Sequence, residues 1–176
     1  MTLARWDALN QIQKKVGIGE LDNHATVKKI LCIPLVAFSF NRAFRFIRTH
    51  VLTEKEFSGN SQQDISLVYQ SLLYGRCYFA LEFFREARGF EFVVERDKQK
   101  FYMGDQLTLA ADTQLSASFP VRALVKIIRN GQEWTRQSTN RLSVRIEEPG
   151  VYRVEAYLKS FGKLRPWIYS NPIFIV

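Results

Sequence analysis

The second half of this chain is a succession of short extended segments cut by turn residues, and that pattern restricts the possible folds more than any other feature. From Cys77 onward the segments CYFALEFF, FEFVVE, QLTLAAD, RALVKIIR, EWTRQ, RLSVRIEE, GVYRVEAYL and PWIYSNPIFIV follow one another. In RLSVRIEE, Leu142, Val144 and Ile146 alternate with Arg141, Ser143 and Arg145, the two-residue period of a strand with one buried face. Asn130-Gly131, between two such runs, predicts a two-residue hairpin turn, because both central positions of that turn need a positive φ. Glu148-Pro149-Gly150 predicts a further turn. Short strands with turns at intervals of about 8–12 residues argue for an antiparallel β-sandwich of the immunoglobulin-like kind, here without the cysteine pair of antibody domains.

The first half reads differently. Leu3, Trp6, Leu9 and Ile12 recur at three-residue steps, one flank of an amphipathic helix, with Lys14 and Lys15 suited to its C-terminal end. Val16 to Gly19 reads as a short strand, and Asp22 and His24 follow in the loop at its C-terminal end, where α/β folds place their sites. Phe40, Phe44 and Ile47 predict that part of the apolar run from Ile30 to Leu52 is helical. Thr53 and Glu56 form a possible capping box. The clearest helix starts at Ser61, with Ile65, Val68, Tyr69 and Leu72 on one face and Gly75 as its stop. The fold class expected is therefore α+β: a short α/β piece and a helical segment, followed by an antiparallel immunoglobulin-like β-sandwich.

At 176 residues and 47% hydrophobic, the chain has ample material for a core. Its 25 Lys and Arg against 17 Asp and Glu give a net charge of +8. The excess is divided evenly between the halves and the basic residues are interspersed with acids, a pattern that does not favour specific nucleic-acid binding. Cys32 and Cys77 both lie in apolar runs, as small buried hydrophobes in a reduced cytoplasmic interior do. The most apolar stretch, Ile30 to Phe40, contains Pro34 and falls short of the roughly 20 residues a membrane span needs, so no membrane association is expected.

Taken in order, RWDALNQIQKKVGIGELDNHA, FRFIRTHVL, DISLVYQSLLYGRCYFALE, GFEF, EEPGVYRVEAYL and RPWIYSNPIFIV together resemble the C-terminal part of PHP (polymerase and histidinol phosphatase) domain proteins, a family of metal-dependent phosphoesterases. The resemblance covers nearly the whole chain and is most specific in its tail. It implies that residues 1–88 correspond to the end of a PHP-like α/β barrel plus a helical segment, and 89–176 to an accessory β-sandwich. It implies too that Asp22 and His24 match the last ligand pair of a centre holding two or three divalent metals. An oxygen and a nitrogen donor suit zinc, manganese or iron.

The departure from the family is large. The opening His-x-His motif and the central ligands are not in the chain, whose only histidines are His24 and His50. Two donors fall short of the three or four of a catalytic zinc-type centre. The expectation is accordingly a truncated, C-terminal fragment of a phosphoesterase, inactive by itself, whose partner is a missing N-terminal barrel half or a second copy through the open edge of the strand at Val16 to Gly19. The alternative is a non-catalytic β-sandwich binding or interaction module.

Other residues carry sharper and blander readings side by side. His50, Arg45 and Arg48 are candidate phosphate or ligand contacts, with Arg42 extending the arginine spacing; a core histidine and a solvated helix face are the plainer explanations. Trp167 and Tyr169, two apart on an expected strand, share a face that suits either a stacking platform or core packing. Neither GxGxxG nor GxSxG occurs, so no phosphate loop or nucleophile elbow is expected.

Overall fold

The computed structural model describes residues 2–24, 27–30, 33–36, 40–44 and 46–176, with the backbone alone for 27–30, 33–36, 41 and 42. Among the described residues there are three helices: α1 (Leu3–Asn10), α2 (Phe40–Ala43) and α3 (Ser61–Tyr74). The early strands are β1 (Val27–Ile30), β2 (Ile33–Val36), β3 (Ile47–Val51) and β4 (Cys77–Leu81). They are followed by β5 (Glu91–Arg96), β6 (Gln99–Tyr102), β7 (Gln106–Leu107) and β8 (Gln114–Arg129). The last are β9 (Gln132–Arg145), β10 (Gly150–Ser160), β11 (Lys163–Ser170) and β12 (Ile173–Ile175). The protein is α+β and mostly antiparallel sheet.

β1 and β2 pair with each other, and the remaining strands form a ten-stranded sheet along the path β3-β4-β11-β10-β8-β5-β6. β9 lies along β8, and β12 joins β10 to β7. The β12–β7 pairing is parallel. β3 and β4, from the first 88 residues, are continuous with this sheet, because Ile168, Tyr169 and Ser170 of β11 pair with Ala80, Phe79 and Tyr78 of β4.

The long strand β8 changes neighbours midway. Ser116 and Ala117 lie opposite Val93 and Phe92 of β5, whereas Val125 and Ile127 lie opposite Ala156 and Val154 of β10. The register with β9 shifts between Ser118 and Ala123, where Pro120 has no N–H to give the ladder. EWTRQ and RLSVRIEE, read from sequence as two segments, are thus one strand that follows β8 through its break. Leu115, Ala117, Phe119, Ala123, Val125 and Ile127 all enter one core with Phe92, Tyr152, Trp167 and Ile173. Burial of each large side chain is worth roughly 1.5–3 kcal/mol.

The turns follow the local signals. Asn130 (φ 50) and Gly131 (φ 82) connect β8 to β9, as the Asn-Gly pair predicted. Asp97-Lys98 and Phe161-Gly162 make positive-φ turns of the same kind. At the Glu148-Pro149-Gly150 corner, the Tyr152 hydroxyl donates to the Glu148 carbonyl at 2.6 Å, fixing the entry into β10.

The N-terminal half departs from expectation in several places. In α1 the buried residues are Trp6, Asp7 and Asn10, while Leu3 and Ile12 of the anticipated apolar flank are exposed. The helix docks a polar face because that face has partners: Arg153 takes Asp7, and the Asn10 amide holds both the N–H and the carbonyl of Lys15. Residues 16–19 are extended but pair with no strand. Side chains satisfy their backbone instead: Asn171 accepts from Gly17 N at 2.7 Å and donates to Gly17 O at 2.9 Å, and the Thr49 hydroxyl does the same for Gly19 at 3.0 Å each. The strand expected there does not form.

Residues 53–56 are not helical. The cap of α3 is Asn60, whose Oδ1 accepts from the N–H groups of Gln62 and Gln63, and Asp64 reaches back to Ser58 N and Gly59 N. Gly75 closes the helix in the left-handed conformation. The helix forms as predicted, yet its apolar stripe is not core: Ser71 is its buried residue, Val68 and Leu72 are half-buried, and Ile65 and Tyr69 are exposed, as is Leu73 beside them. No helix among the described residues is long and apolar enough to cross a membrane.

Candidate functional site

The extended segment pinned at Gly17 and Gly19 delivers the loop carrying Asp22 and His24 to the surface. There Asp22 Oδ1 and His24 Nε2 approach to 2.9 Å, with side chains 90% and 79% exposed. One residue separates them, so a tight backbone bend suffices to bring an oxygen and a nitrogen donor together. Among the described residues, no group of three or more His, Cys, Asp or Glu side chains is placed to hold a metal ion. The pair taken alone does not fit the donor set of a catalytic divalent-metal centre.

The strand β3 carries two other sequence-predicted residues, Arg48 and His50, away from this loop. Thr49 turns toward the 15–24 segment, where it holds Gly19. Its neighbours Arg48 and His50 therefore project from the opposite face, as alternation along a strand requires. On that face they converge on Glu82, a residue the sequence analysis did not single out. Arg48 Nη1 lies 2.9 Å from Glu82 Oε2, and His50 Nε2 lies 2.9 Å from Glu82 Oε1. The Ala87 N–H donates to the same Oε1 at 2.7 Å.

The Glu82 side chain is 2% exposed, and a carboxylate so buried requires this full set of donors. An ionised carboxylate offers lone pairs only, so His50 Nε2 carries the proton and Nδ1 is the remaining ring nitrogen. The imidazole is also fixed from its face: it stacks on Tyr78, its cross-strand neighbour, at 4.5 Å with 3° between planes. The Tyr78 hydroxyl donates to the Ala87 carbonyl, and burial, then the charge of Glu82, raise its pKa far above the usual phenol value. The cluster clamps the turn from Glu82 to Ala87 against β3 and β4. Sequence gave no signal for it, since Glu82 stands 32 residues from His50 in no recognisable spacing.

The arginine spacing does not become a helix face. α2 ends at Ala43, Arg48 is on β3, and Arg45, the Arg42 side chain and Cys32 lie outside what the structure describes. Cys77 is a free, buried thiol. Burial pushes its pKa up to about 11, against a smaller lowering by the hydrogen bond from Asn171.

Trp167 and Tyr169 do not share a face. The β10–β11 register shifts between Ala156 and Tyr157, and this bulge turns Trp167 into the main core beside Phe119. Tyr169 packs on the side covered by α1, stacked on Phe79 at 5.4 Å. Both are buried and offer no exposed stacking platform. No family model, no curated protein and no solved structure matches the chain.

Proposed function

We propose that this chain is the C-terminal, accessory part of a PHP-type metal-dependent phosphoesterase, contributing Asp22 and His24 to a centre whose other ligands lie outside its 176 residues. The reading rests on the sequence resemblance, and one structural observation supports it: a carboxylate oxygen and an imidazole nitrogen converge at 2.9 Å on an exposed loop whose base is pinned at Gly17 and Gly19. Two donors leave the centre incomplete, so the isolated chain does not hydrolyse phosphoesters. A divalent zinc, manganese or iron ion would require at least one or two further donors. The Arg48 and His50 pair faces the other side of β3, so a phosphate meeting it would be separate from an ion at Asp22 and His24.

In this reading the β-rich body is an immunoglobulin-like sandwich working in the cytoplasm. The Tyr152 to Glu148 hydrogen bond supports that assignment, because a tyrosine at the start of a strand bonding a carbonyl a few residues upstream is the corner device of such sandwiches. Calorimetric titration with zinc and manganese tests the proposal. Weak binding abolished by Asp22→Ala and by His24→Ala, with aryl-phosphate hydrolysis appearing only on addition of a chain carrying the His-x-His ligands, is the expected result. Metal binding indifferent to both substitutions overturns it.

A second reading, a non-catalytic interaction module, is favoured by a different observation. α3 exposes Ile65, Tyr69 and Leu73 on a helix whose only charged residue is Asp64. Hydrolysis that never appears with any added chain, together with no metal affinity, would select this reading.

A further inference from the structure

The β10–β11 hairpin turns on a residue that its backbone does not suit. Phe161 takes φ 48 beside Gly162, a left-handed conformation that asparagine or glycine adopts readily and a bulky aromatic does not. The β8–β9 hairpin fills the equivalent position with Asn130. Phe161 recovers nothing by packing, because it is 89% exposed. Folding stability therefore does not account for a phenylalanine at this tip, and a strained residue at an exposed position points to a binding role.

The surroundings of the tip identify its partner. Lys159 lies across the hairpin from exposed Leu164, Leu158 lies across from Arg165, and Lys163 follows the turn directly. The three cations are exposed and have no carboxylate partner among the described residues, and no acidic residue occurs from Ala156 to Val176. A second apolar point projects from the same end of the sheet. Ala80 pairs with Ile168 and Tyr78 with Ser170, so β4 finishes where β11 begins. The turn that follows β4 exposes Phe83 and Phe84, packed edge to face at 4.9 Å. Arg85 and Arg88 outnumber Glu86 there, because Glu82 is buried and held by Arg48 and His50.

Lysine is depleted in protein–protein interfaces, which weighs against a protein partner for a tip ringed by cations. Nucleic-acid binders stack successive bases along a groove or sheet face, whereas a convex tip offers a single ring. An anionic bilayer suits both features: apolar side chains enter the boundary between headgroups and acyl chains, and lysine and arginine heads stay with the lipid charges.

We propose that this end of the sheet is a peripheral contact for an anionic lipid surface, with Phe161 and Leu164 inserted at headgroup depth, Lys159, Lys163 and Arg165 on the lipid charges, and the Phe83–Phe84 turn as a second point. Such a contact needs no spanning segment, and it is independent of the Asp22 and His24 loop and of the phosphoesterase reading. Cosedimentation with phosphatidylcholine vesicles containing about 30% phosphatidylserine tests it, against vesicles of phosphatidylcholine alone. Binding is expected only to the anionic vesicles, weakening at least tenfold when salt rises from about 0.1 to about 0.5 M. Phe161→Asn should lower the partition about tenfold and raise the melting temperature, since it removes both the inserted ring and the strain. Lys163→Glu should lower the partition at least about fivefold. Lys98→Glu, the same charge change on the β5–β6 turn, should leave it within about twofold. Absence of binding, equal binding to neutral vesicles, full retention in Phe161→Asn, equal loss in Lys98→Glu, or tighter capture by random single-stranded DNA than by the anionic vesicles overturns the proposal.

Discussion

Asp7 and Arg153, 146 positions apart, form a two-pronged buried ion pair: Arg153 Nε donates to Oδ1 at 2.6 Å and Nη2 to Oδ2 at 2.7 Å. The guanidinium also lies over the Trp6 ring at 5.4 Å. Its Nη1 stands 2.8 Å from Glu155 Oε1 in a geometry closer to charge contact than to an aligned hydrogen bond. Removing one partner of such a pair strands the other charge in the interior, at a cost of about 3–5 kcal/mol. Asp7→Ala is expected to fall at the low end because Glu155 remains. Urea unfolding measures the loss, and hydrogen exchange should show α1 amides losing protection before those of β8 and β10.

Asn171 is a second tether. Its amide bonds both backbone groups of Gly17, and its Nδ2 also donates to the Cys77 carbonyl at 2.8 Å. Asn171→Ala should cost about 1–3 kcal/mol through unsatisfied buried groups. Asn171→Asp should be worse, because it sets a carboxylate against two carbonyl oxygens. Thermal melts rank the two variants, and the expected order is parent, alanine, aspartate.

The Glu82 clamp predicts a tautomer. In the parent, long-range ¹H–¹⁵N spectra should show the His50 ring carrying its proton at Nε2. Glu82→Gln should abolish that preference and destabilise the fold by about 2–4 kcal/mol, since Arg48 and His50 lose their shared charge partner. An unchanged tautomer in the variant would mean that Tyr78 stacking alone orients the ring.

Cys77 gives the protein a sensitivity to alkali. Its thiol is raised from 9.0 to about 11 in the fold, so the folded state holds the proton more tightly than the unfolded chain does. The associated stability is fully present below pH 9 and is lost as the pH rises through about 11. The hydroxyls of Tyr78 and the half-buried Tyr157, shifted upward chiefly by burial, act in the same direction. In a Cys32→Ser background, Cys77→Ala should flatten the fall in denaturation midpoint between pH 8 and about 10.5. Iodoacetamide should modify Cys77 at pH 8 only as fast as the protein opens.

Local sequence determined what a few adjacent residues can encode. Asn130-Gly131 specifies its turn because positive φ is a property of those two positions, Gly75 ends α3 for the same reason, and the alternation in RLSVRIEE marks a half-buried strand. Tertiary structure decided which faces are covered and which charges meet. The exposed stripe of α3, the polar docking face of α1, the bulge that separates Trp167 from Tyr169, and the union of Arg48, His50 and Glu82 all depend on partners distant in the chain. Hydrophobic periodicity describes one element at a time, whereas a buried charge is stable only where the fold brings its counter-charge and donors to the same place. Asp22 and His24 belong to both categories: their proximity is local, and their exposed position is set by the hold of Asn171 and Thr49 on the segment before them.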